Sequence, residues 1–96
     1  MGDTGTGGDG GDGQVRTWLV KRSYDSRNLI TLVYATPDGE RAVTRELSSA
    51  VLDRTPVTAA RDVDPDDLAT VAADDRERYR AEAERVRENN DPGDEI

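Results

Sequence analysis

The chain has 96 residues and eight net negative charges, from 21 acidic and 13 basic side chains, and it contains no cysteine and no histidine. That length allows one small domain, which buries only about 60 to 65% of the surface that its unfolded state exposes. The composition excludes disulfides, thiolate chemistry and every metal or catalytic site that requires cysteine or histidine.

The types of charged residue are unusual. The acidic side chains are 14 aspartates and 7 glutamates, and the basic ones are 12 arginines and a single lysine, Lys21. This balance resembles that of cytoplasmic proteins from extreme halophiles, the haloarchaea above all, and the resemblance implies a milieu of molar salt rather than an activity. At such salt the Debye length is about 3 Å or less, and a carboxylate-rich surface keeps the protein hydrated. A high-GC bacterial protein, in which arginine also replaces lysine, is the alternative.

Residues 1–14 begin with "MGDTGTGGDGGDG" and are predicted to form a disordered acidic tail. The segment Gly5 to Gly10 fits the G-x-G-x-x-G pattern of dinucleotide sites, but no strand precedes it, so we expect no cofactor there. No apolar run approaches the roughly 18 residues of a membrane span, and the signal-peptide pattern is missing. We therefore expect a cytoplasmic protein.

Three segments after residue 14 have the composition of β-strands: "VRTWLVKRSY", "NLITLVYAT" and "ERAVTREL" are rich in β-branched and aromatic residues. The links "DSRN" and "TPDG" are turn signals, since Pro37 presets φ for a turn and Gly39 accepts a left-handed conformation. Two short links in succession predict an antiparallel meander with the second strand at its centre. Residues 47–54, "LSSAVLDR", predict a short helical turn.

Residues 57–63, "VTAARDV", are ambiguous, and we favour a fourth strand with Val57, Ala59 and Val63 on one face. The fold class is therefore α+β, with a three- to four-stranded antiparallel β-meander packed against one long helix. The domain spans residues 15–90, and residues 91–96 are predicted to form a second disordered acidic tail.

The strongest helix signal is "DPDDL", in which Asp64 is suited to cap a helix and Pro65 to occupy its first position. No Gly or Pro follows until Pro92, so we predict a helix from Pro65 to about Asn90, with a break near Asp74 left open. The apolar stripe that would face the sheet consists of Leu68, Val71, Ala72, Tyr79, Ala83 and Val86.

Catalytic and metal-binding motifs are missing or incomplete. The segment "DVDPDD" begins like an EF-hand calcium loop, but Asp67 stands where glycine is needed and Ala73 where a bidentate glutamate is needed. A nucleophile would have to be a serine, a threonine or Lys21, and no known spacing links these residues to a base. We expect no metal, no cofactor and no enzyme activity.

Charge is divided unevenly along the chain. Residues 15–61 contain eight basic and five acidic side chains, whereas residues 62–96 contain five basic and thirteen acidic ones. One interpretation is internal pairing, in which arginines of the sheet meet acidic residues of the helix. The other is nucleic-acid binding, with cations on phosphates and aromatic rings stacked on bases; the candidate residues are Arg16, Trp18, Lys21, Arg22, Tyr24 and Arg27.

High salt and strand alternation both weaken the nucleic-acid hypothesis. Four phosphate contacts to a single strand would cost on the order of a thousandfold in affinity between about 0.2 and 2 M salt. Alternation places Trp18 and Tyr24 on the same strand face as Val20, together with Arg16 and Arg22, and this favours a core position for the aromatic rings, including Tyr34.

The central strand is apolar on both faces, and one helix covers only one of them. The other face then needs cover from the short helix, a second subunit or another protein. The sequence therefore predicts a non-catalytic interaction module, with a protein partner or a second copy bound by the central strand. The residues expected to form this surface are Leu29, Ile30, Leu32, Val33 and Tyr34.

Overall fold

A computed structural model of the chain describes residues 13–25, 27–48, 50 and 56–96. It has the predicted α+β class, with one helix packed on an antiparallel sheet of five strands rather than three or four. The strands are β1 (Val15–Tyr24), β2 (Leu29–Ala35), β3 (Arg41–Ser48), β4 (Ala60–Val63) and β5 (Ala69–Thr70), and the helix is α1 (Ala73–Asn89).

The strand order is β4-β1-β2-β3-β5, so β2 is central and the predicted meander of the first three strands is confirmed. Both turn signals form turns. In the first, Asp25 Oδ1 accepts hydrogen bonds from the backbone N–H groups of Arg27 and Leu29. In the second, the Gly39 N–H donates to the Thr36 carbonyl oxygen at 2.8 Å, and Gly39 has a φ of +74°. The turn residues thus fix the register of both hairpins.

A β-bulge interrupts β1. Leu19 is opposite Tyr34 and Lys21 is opposite Val33, so the pairing with β2 shifts by one residue between Leu19 and Lys21. A bulge of this kind reverses the side-chain alternation that follows it. Trp18 therefore faces α1, whereas Arg22 and Tyr24 face the other side of the sheet. The predicted alternation, with Trp18, Arg22 and Tyr24 on one face, is wrong for this reason.

The fourth strand is present but shorter than expected, because regular pairing with β1 begins at Ala60. Val57 packs in a different hydrophobic cluster from Ala59, so these two residues do not share a face as predicted. The fifth strand, β5, is a two-residue element that pairs with Arg41 and Ala42 at the start of β3.

The helix begins at Ala73 and not at Pro65. Asp64 does act as a cap, since its Oδ1 accepts from the Asp66 N–H at 3.0 Å, but the capped segment is a 3-10 helix of three residues, Pro65–Asp67. The chain is extended again at Leu68, and α1 then runs without a break past Asp74. The predicted helix start is therefore wrong by eight residues, whereas its end near Asn90 is confirmed.

The face of the sheet under α1 is called the helix face. Trp18 of β1 and Ala60 of β4 pack there against Ala83 and Val86 of α1, and Trp18 is only 5% exposed. Ala83 and Val86 are the buried residues of the helix, and they belong to the predicted apolar stripe. A buried tryptophan against small residues lets the helix approach the strands closely.

The opposite face is called the far face, and it holds a second hydrophobic cluster. Its buried members are Leu19, Ile30, Leu32, Tyr34 and Val57. The Tyr34 hydroxyl donates to the Thr58 carbonyl oxygen at 2.8 Å, so the one polar atom of this ring is satisfied. Residues on both sides of β2 are thus covered within the chain.

Residues 91–96 are not a disordered tail as predicted. Ala59 N–H donates to the Asp94 carbonyl oxygen at 2.8 Å, Ile96 N–H donates to the Val57 carbonyl oxygen at 2.9 Å, and Thr58 forms a β-bridge with Glu95. Ile96 packs against both hydrophobic clusters. Of the other predicted segments, most of the tail at 1–14 and most of the helical turn at 47–54 lie outside the described residues, although Leu47 and Ser48 belong to β3.

Candidate functional site: a basic surface on the first hairpin

The five residues predicted to bind a partner do not form an exposed apolar surface. Ile30, Leu32, Val33 and Tyr34 are buried, and Leu29 is half-buried. Their side chains are divided between the two faces, and both faces are covered within the chain. The expectation that a second molecule must cover the central strand therefore loses its physical basis.

The six candidate nucleic-acid residues separate into two groups at the bulge in β1. Before the bulge, Trp18 is buried under α1, so its ring is not available for stacking on a base. Arg16 Nε donates to Asp62 Oδ1 of the neighbouring strand at 2.6 Å, which neutralises its charge. Both residues therefore stabilise the fold and contribute little to an outer surface.

Beyond the bulge, four of the six residues remain exposed. We call Lys21, Arg22, Tyr24 and Arg27 the hairpin surface, because they occupy the outer half of β1 and the turn that follows it. Tyr24 is 66% exposed, and among the described residues it is the one large hydrophobic side chain that is exposed. Arg27 forms an ion pair with Asp25, with 3.4 Å between Nη2 and Oδ2. No described acidic side chain forms an ion pair with Lys21 or Arg22.

The acidic helix does not neutralise the sheet. The ion pairs of α1 run along its own surface and join Arg78 with Asp75, Arg80 with Glu77 and Glu84, and Arg85 with Glu82. Each pair has the i,i+3 or i,i+4 spacing at which side chains of a helix are neighbours. The hypothesis that sheet arginines pair with helix carboxylates is therefore wrong for the described residues, and the basic hairpin surface keeps its charge.

Two further arginines lie on the far face, and sequence analysis missed both. Leu32 of β2 is opposite Arg22 on one side and Arg45 on the other, so the three side chains form one cross-strand row. Arg61 of β4 lies with its guanidinium carbon 6.0 Å from the centre of the Tyr34 ring. Cross-strand neighbours on one face have Cβ atoms about 5 Å apart, so these arginines surround the edge of the far-face cluster.

The surroundings of Arg45 on the far face disfavour its positive charge. Burial and the positive charge of Arg61 lower the pKa of Arg45. Burial raises the pKa of Tyr34, opposed by the charges of Arg61, Arg45 and Arg22. The register that assembles these residues depends on the bulge and on the pairing of β4 with β1, and neither leaves a recognisable pattern in the sequence.

The described residues offer little else that indicates chemistry. They contain no group of three or more acidic side chains arranged to hold a metal ion. No helix in the described ranges is long and apolar enough to cross a bilayer. The clefts they line are shallow; one of them lies between the bulge and α1 and is lined by residues of both, including Lys21 and Glu82.

Comparison with known proteins identifies a family but attaches no activity to it. No curated protein and no solved structure matches the chain. A family model matches residues 11–96, which include the five described strands and α1. The chain therefore belongs to DUF7967, a family of unknown function.

Proposed function

We propose that the protein is a non-catalytic interaction module that contacts a protein partner through the hairpin surface. The observation that carries this proposal is the exposed Tyr24, which lies on the same strand face as Arg22, a cation without a described ion pair. The absence of cysteine and histidine from the whole sequence removes the commonest nucleophiles and general bases, which supports a binding role.

The composition of the hairpin surface is that of an interface centre. Tyrosine and arginine are enriched in protein interfaces and at their energetic hot spots, whereas lysine is depleted. Tyr24 carries a large ring with few rotatable bonds, so ordering it on binding costs little conformational entropy. A partner that covers this ring would gain hydrophobic contact and would place carboxylates opposite Arg22.

A second copy of the chain is the first partner to test. It presents an acidic segment of exposed side chains just before α1: Asp64, Asp66 and Asp67. Opposite charges on two surfaces of one chain favour self-association. We further propose a cytoplasmic protein of a high-salt cell, and at molar salt the Tyr24 contact would supply most of the affinity because exposed charges are screened.

Sedimentation or light scattering over a concentration series in molar KCl tests self-association. We expect the wild-type protein to associate, and we expect the double substitution Arg22→Ser with Tyr24→Ser to weaken association by about tenfold or more. Arg87→Ser is the matched control, because it removes an exposed arginine from the far end of α1. Association that survives the double substitution would contradict the proposal. A monomer at every concentration would also contradict it if the wild type and the double variant retained lysate proteins equally.

Nucleic-acid binding is the second candidate function, and a specific observation favours it. Tyr24 is an exposed ring with Arg22 on the same strand face and Arg27 in the adjacent turn, which is the combination used to stack a base and hold its phosphate. Binding that relied on stacking would persist at high salt better than phosphate contacts.

Fluorescence anisotropy with labelled single-stranded and duplex oligonucleotides distinguishes the two functions. Stacking on Tyr24 predicts preference for single strands, retention of measurable binding in about 2 M KCl, and loss of binding in Tyr24→Ser. Because Trp18 is buried, its own emission should not change on binding. This function would be ruled out for the hairpin surface if Tyr24→Ser and wild type bound single-stranded and duplex oligonucleotides equally and with the same sensitivity to salt.

A further inference from the structure

We infer that Arg45 and Arg61, with Arg22 beside them, form a binding site on the far face for a phosphate group. Arg22 also belongs to the hairpin surface, but Arg45 and Arg61 lie outside it, so the inference goes beyond the proposed function and does not rest on it. It starts from the cross-strand row of Arg22, Leu32 and Arg45 and from the position of Arg61 over the Tyr34 ring.

The first observation is that three cations gather around one buried patch without a described carboxylate. The chain has 21 acidic side chains, and five described arginines form ion pairs with them, whereas Arg41, Arg76 and Arg87 lie singly without a described one; the paired residues are Arg16, Arg27, Arg78, Arg80 and Arg85. None of the described ion pairs involves Arg22, Arg45 or Arg61. In so acidic a protein, an arginine cluster without an acid indicates that its counter-charge comes from outside the chain.

The second observation is an unsatisfied donor. The Nε atom of Arg61 is buried and has no hydrogen-bond partner, and it is the one side-chain donor or acceptor of this kind among the described residues. Buried polar groups in native proteins are nearly always satisfied, and each exception requires an explanation. The Arg61 guanidinium packs on the Tyr34 ring, and no described side chain forms an ion pair with it.

The third observation is the repulsion between Arg45 and Arg61 in the protein without a ligand. Arg45 and Arg61 are both half-buried and lie close enough for the charge of one to disfavour the charge of the other. Like charges brought together in a partly desolvated place destabilise the empty protein, and a bound anion reverses that effect. An anionic ligand would therefore be bound more favourably here, because it removes the repulsion between the two arginines.

The number of charges selects the ligand class. Planar guanidinium groups bind phosphate and carboxylate oxygens through paired hydrogen bonds. A phosphate monoester carries about 1.5 to 2 negative charges near pH 7 and three acceptor oxygens, which suits several arginines better than the single charge of a carboxylate. The phosphate comes either from the free anion or from the phosphate of a nucleotide, and both have the same recognition chemistry.

The test is a titration of the full chain with inorganic phosphate at constant ionic strength and pH, followed through the arginine Nε–H signals in NMR. We expect saturable shifts of the Arg45 and Arg61 signals, and at least about tenfold weaker binding of acetate. A nucleoside monophosphate distinguishes the sources, since tighter binding than inorganic phosphate assigns the site to a nucleotide. No saturable shift at these two arginines, or equal shifts with acetate or chloride, would overturn the inference.

Variants give an independent readout. Arg45→Met and Arg61→Met keep the length of the side chain while they remove its charge, so the packing on Leu32 and Tyr34 is preserved. In phosphate-free buffer we expect each variant to melt no lower than wild type, and we expect phosphate to raise the melting temperature of wild type and of the control Arg87→Met only. A rise of equal size in all four proteins would also overturn the inference.

Discussion

Gly39 is the residue at which the second hairpin touches the helix. It is buried, has a φ of +74°, and lies so close to α1 that an added Cβ would be 2.3 Å from the Arg76 carbonyl oxygen and 2.6 Å from the Arg80 nitrogen. Both of these atoms belong to the helix backbone, which cannot rotate away as a long side chain can. Only glycine satisfies the turn and the close approach together.

We therefore predict that Gly39→Ala lowers the free energy of unfolding by about 3 kcal/mol or more, from the left-handed φ and from the steric overlap. Gly13→Ala is the matched control, since Gly13 has a φ of +72° but nothing within 4 Å of an added Cβ. Urea unfolding of both variants measures the difference. Equal losses of stability would show that the hairpin does not dock on α1 as described.

Single residues also mark the limit of sequence reasoning. The turn at Gly39 and the cap at Asp64 were both predicted, because each depends on local hydrogen bonds between residues a few positions apart. The bulge after Leu19 was not predicted, since it depends on how β1 pairs with its neighbours. That one residue decided which side of the sheet carries Arg22 and Tyr24, and so decided the candidate site.

At the scale of the element, the second turn is held by a carboxylate. Asp38 Oδ1 accepts from the Thr36 hydroxyl at 2.6 Å and from the Glu40 N–H at 3.0 Å. These two hydrogen bonds, the first the stronger, hold the pKa of Asp38 below its usual value. The ionised carboxylate therefore stabilises the hairpin between β2 and β3.

This stabilisation depends on pH with a defined sign. Because the pKa of Asp38 is lower in the folded protein, its contribution is complete above about pH 4 and is lost as the pH falls through the lowered pKa. We predict that Asp38→Asn destabilises the protein at neutral pH and that its difference from wild type shrinks below about pH 4. Urea unfolding across this range checks the prediction, and a difference independent of pH would contradict it.

The segment after α1 is hydrogen-bonded to the residues that lead into β4. Residues 92–96 run alongside residues 57–60, and Ile96 contacts the hydrophobic clusters of both faces. We predict that Ile96→Ser costs about 1 to 2 kcal/mol of stability, roughly half the cost for a fully buried isoleucine. The exposed neighbour Glu95→Ser serves as control, measured by the same denaturant unfolding. Equal stability of the Ile96→Ser variant and wild type would mean that this segment does not pack.

The errors at this scale share a cause. Residues 65–72 carry a true helix-start signal, yet the sequence continues with Thr70 and Val71, which are β-branched and pair or pack beside β3. The strands of the meander were predictable because their links are short and local. The strand β5 and the segment at 92–96 were not, because both are held by partners distant in the sequence.

In the whole molecule, basic side chains are in excess in residues 15–61 and acidic ones in residues 62–96, and none of the described ion pairs joins the sheet to α1. With eight net negative charges and an acidic stretch around Asp64 and Asp74, repulsion destabilises the compact state in dilute buffer. We predict that the melting temperature, followed by the fluorescence of buried Trp18, rises by at least about 5 °C between dilute buffer and molar KCl. Equal melting in both would argue against a halophilic protein.

We propose that this protein contacts its partner through the exposed half of the first hairpin. The most direct measurement is a map of amide NMR shifts in about 2 M KCl, recorded against the protein's own concentration and then against oligonucleotides. We expect shifts at Lys21 through Leu29 in both series, joined in the concentration series by the acidic segment Asp64 to Asp67, with the signals of Ala83 and Val86 unchanged. Shifts confined to α1, or no shift in either series, would contradict it.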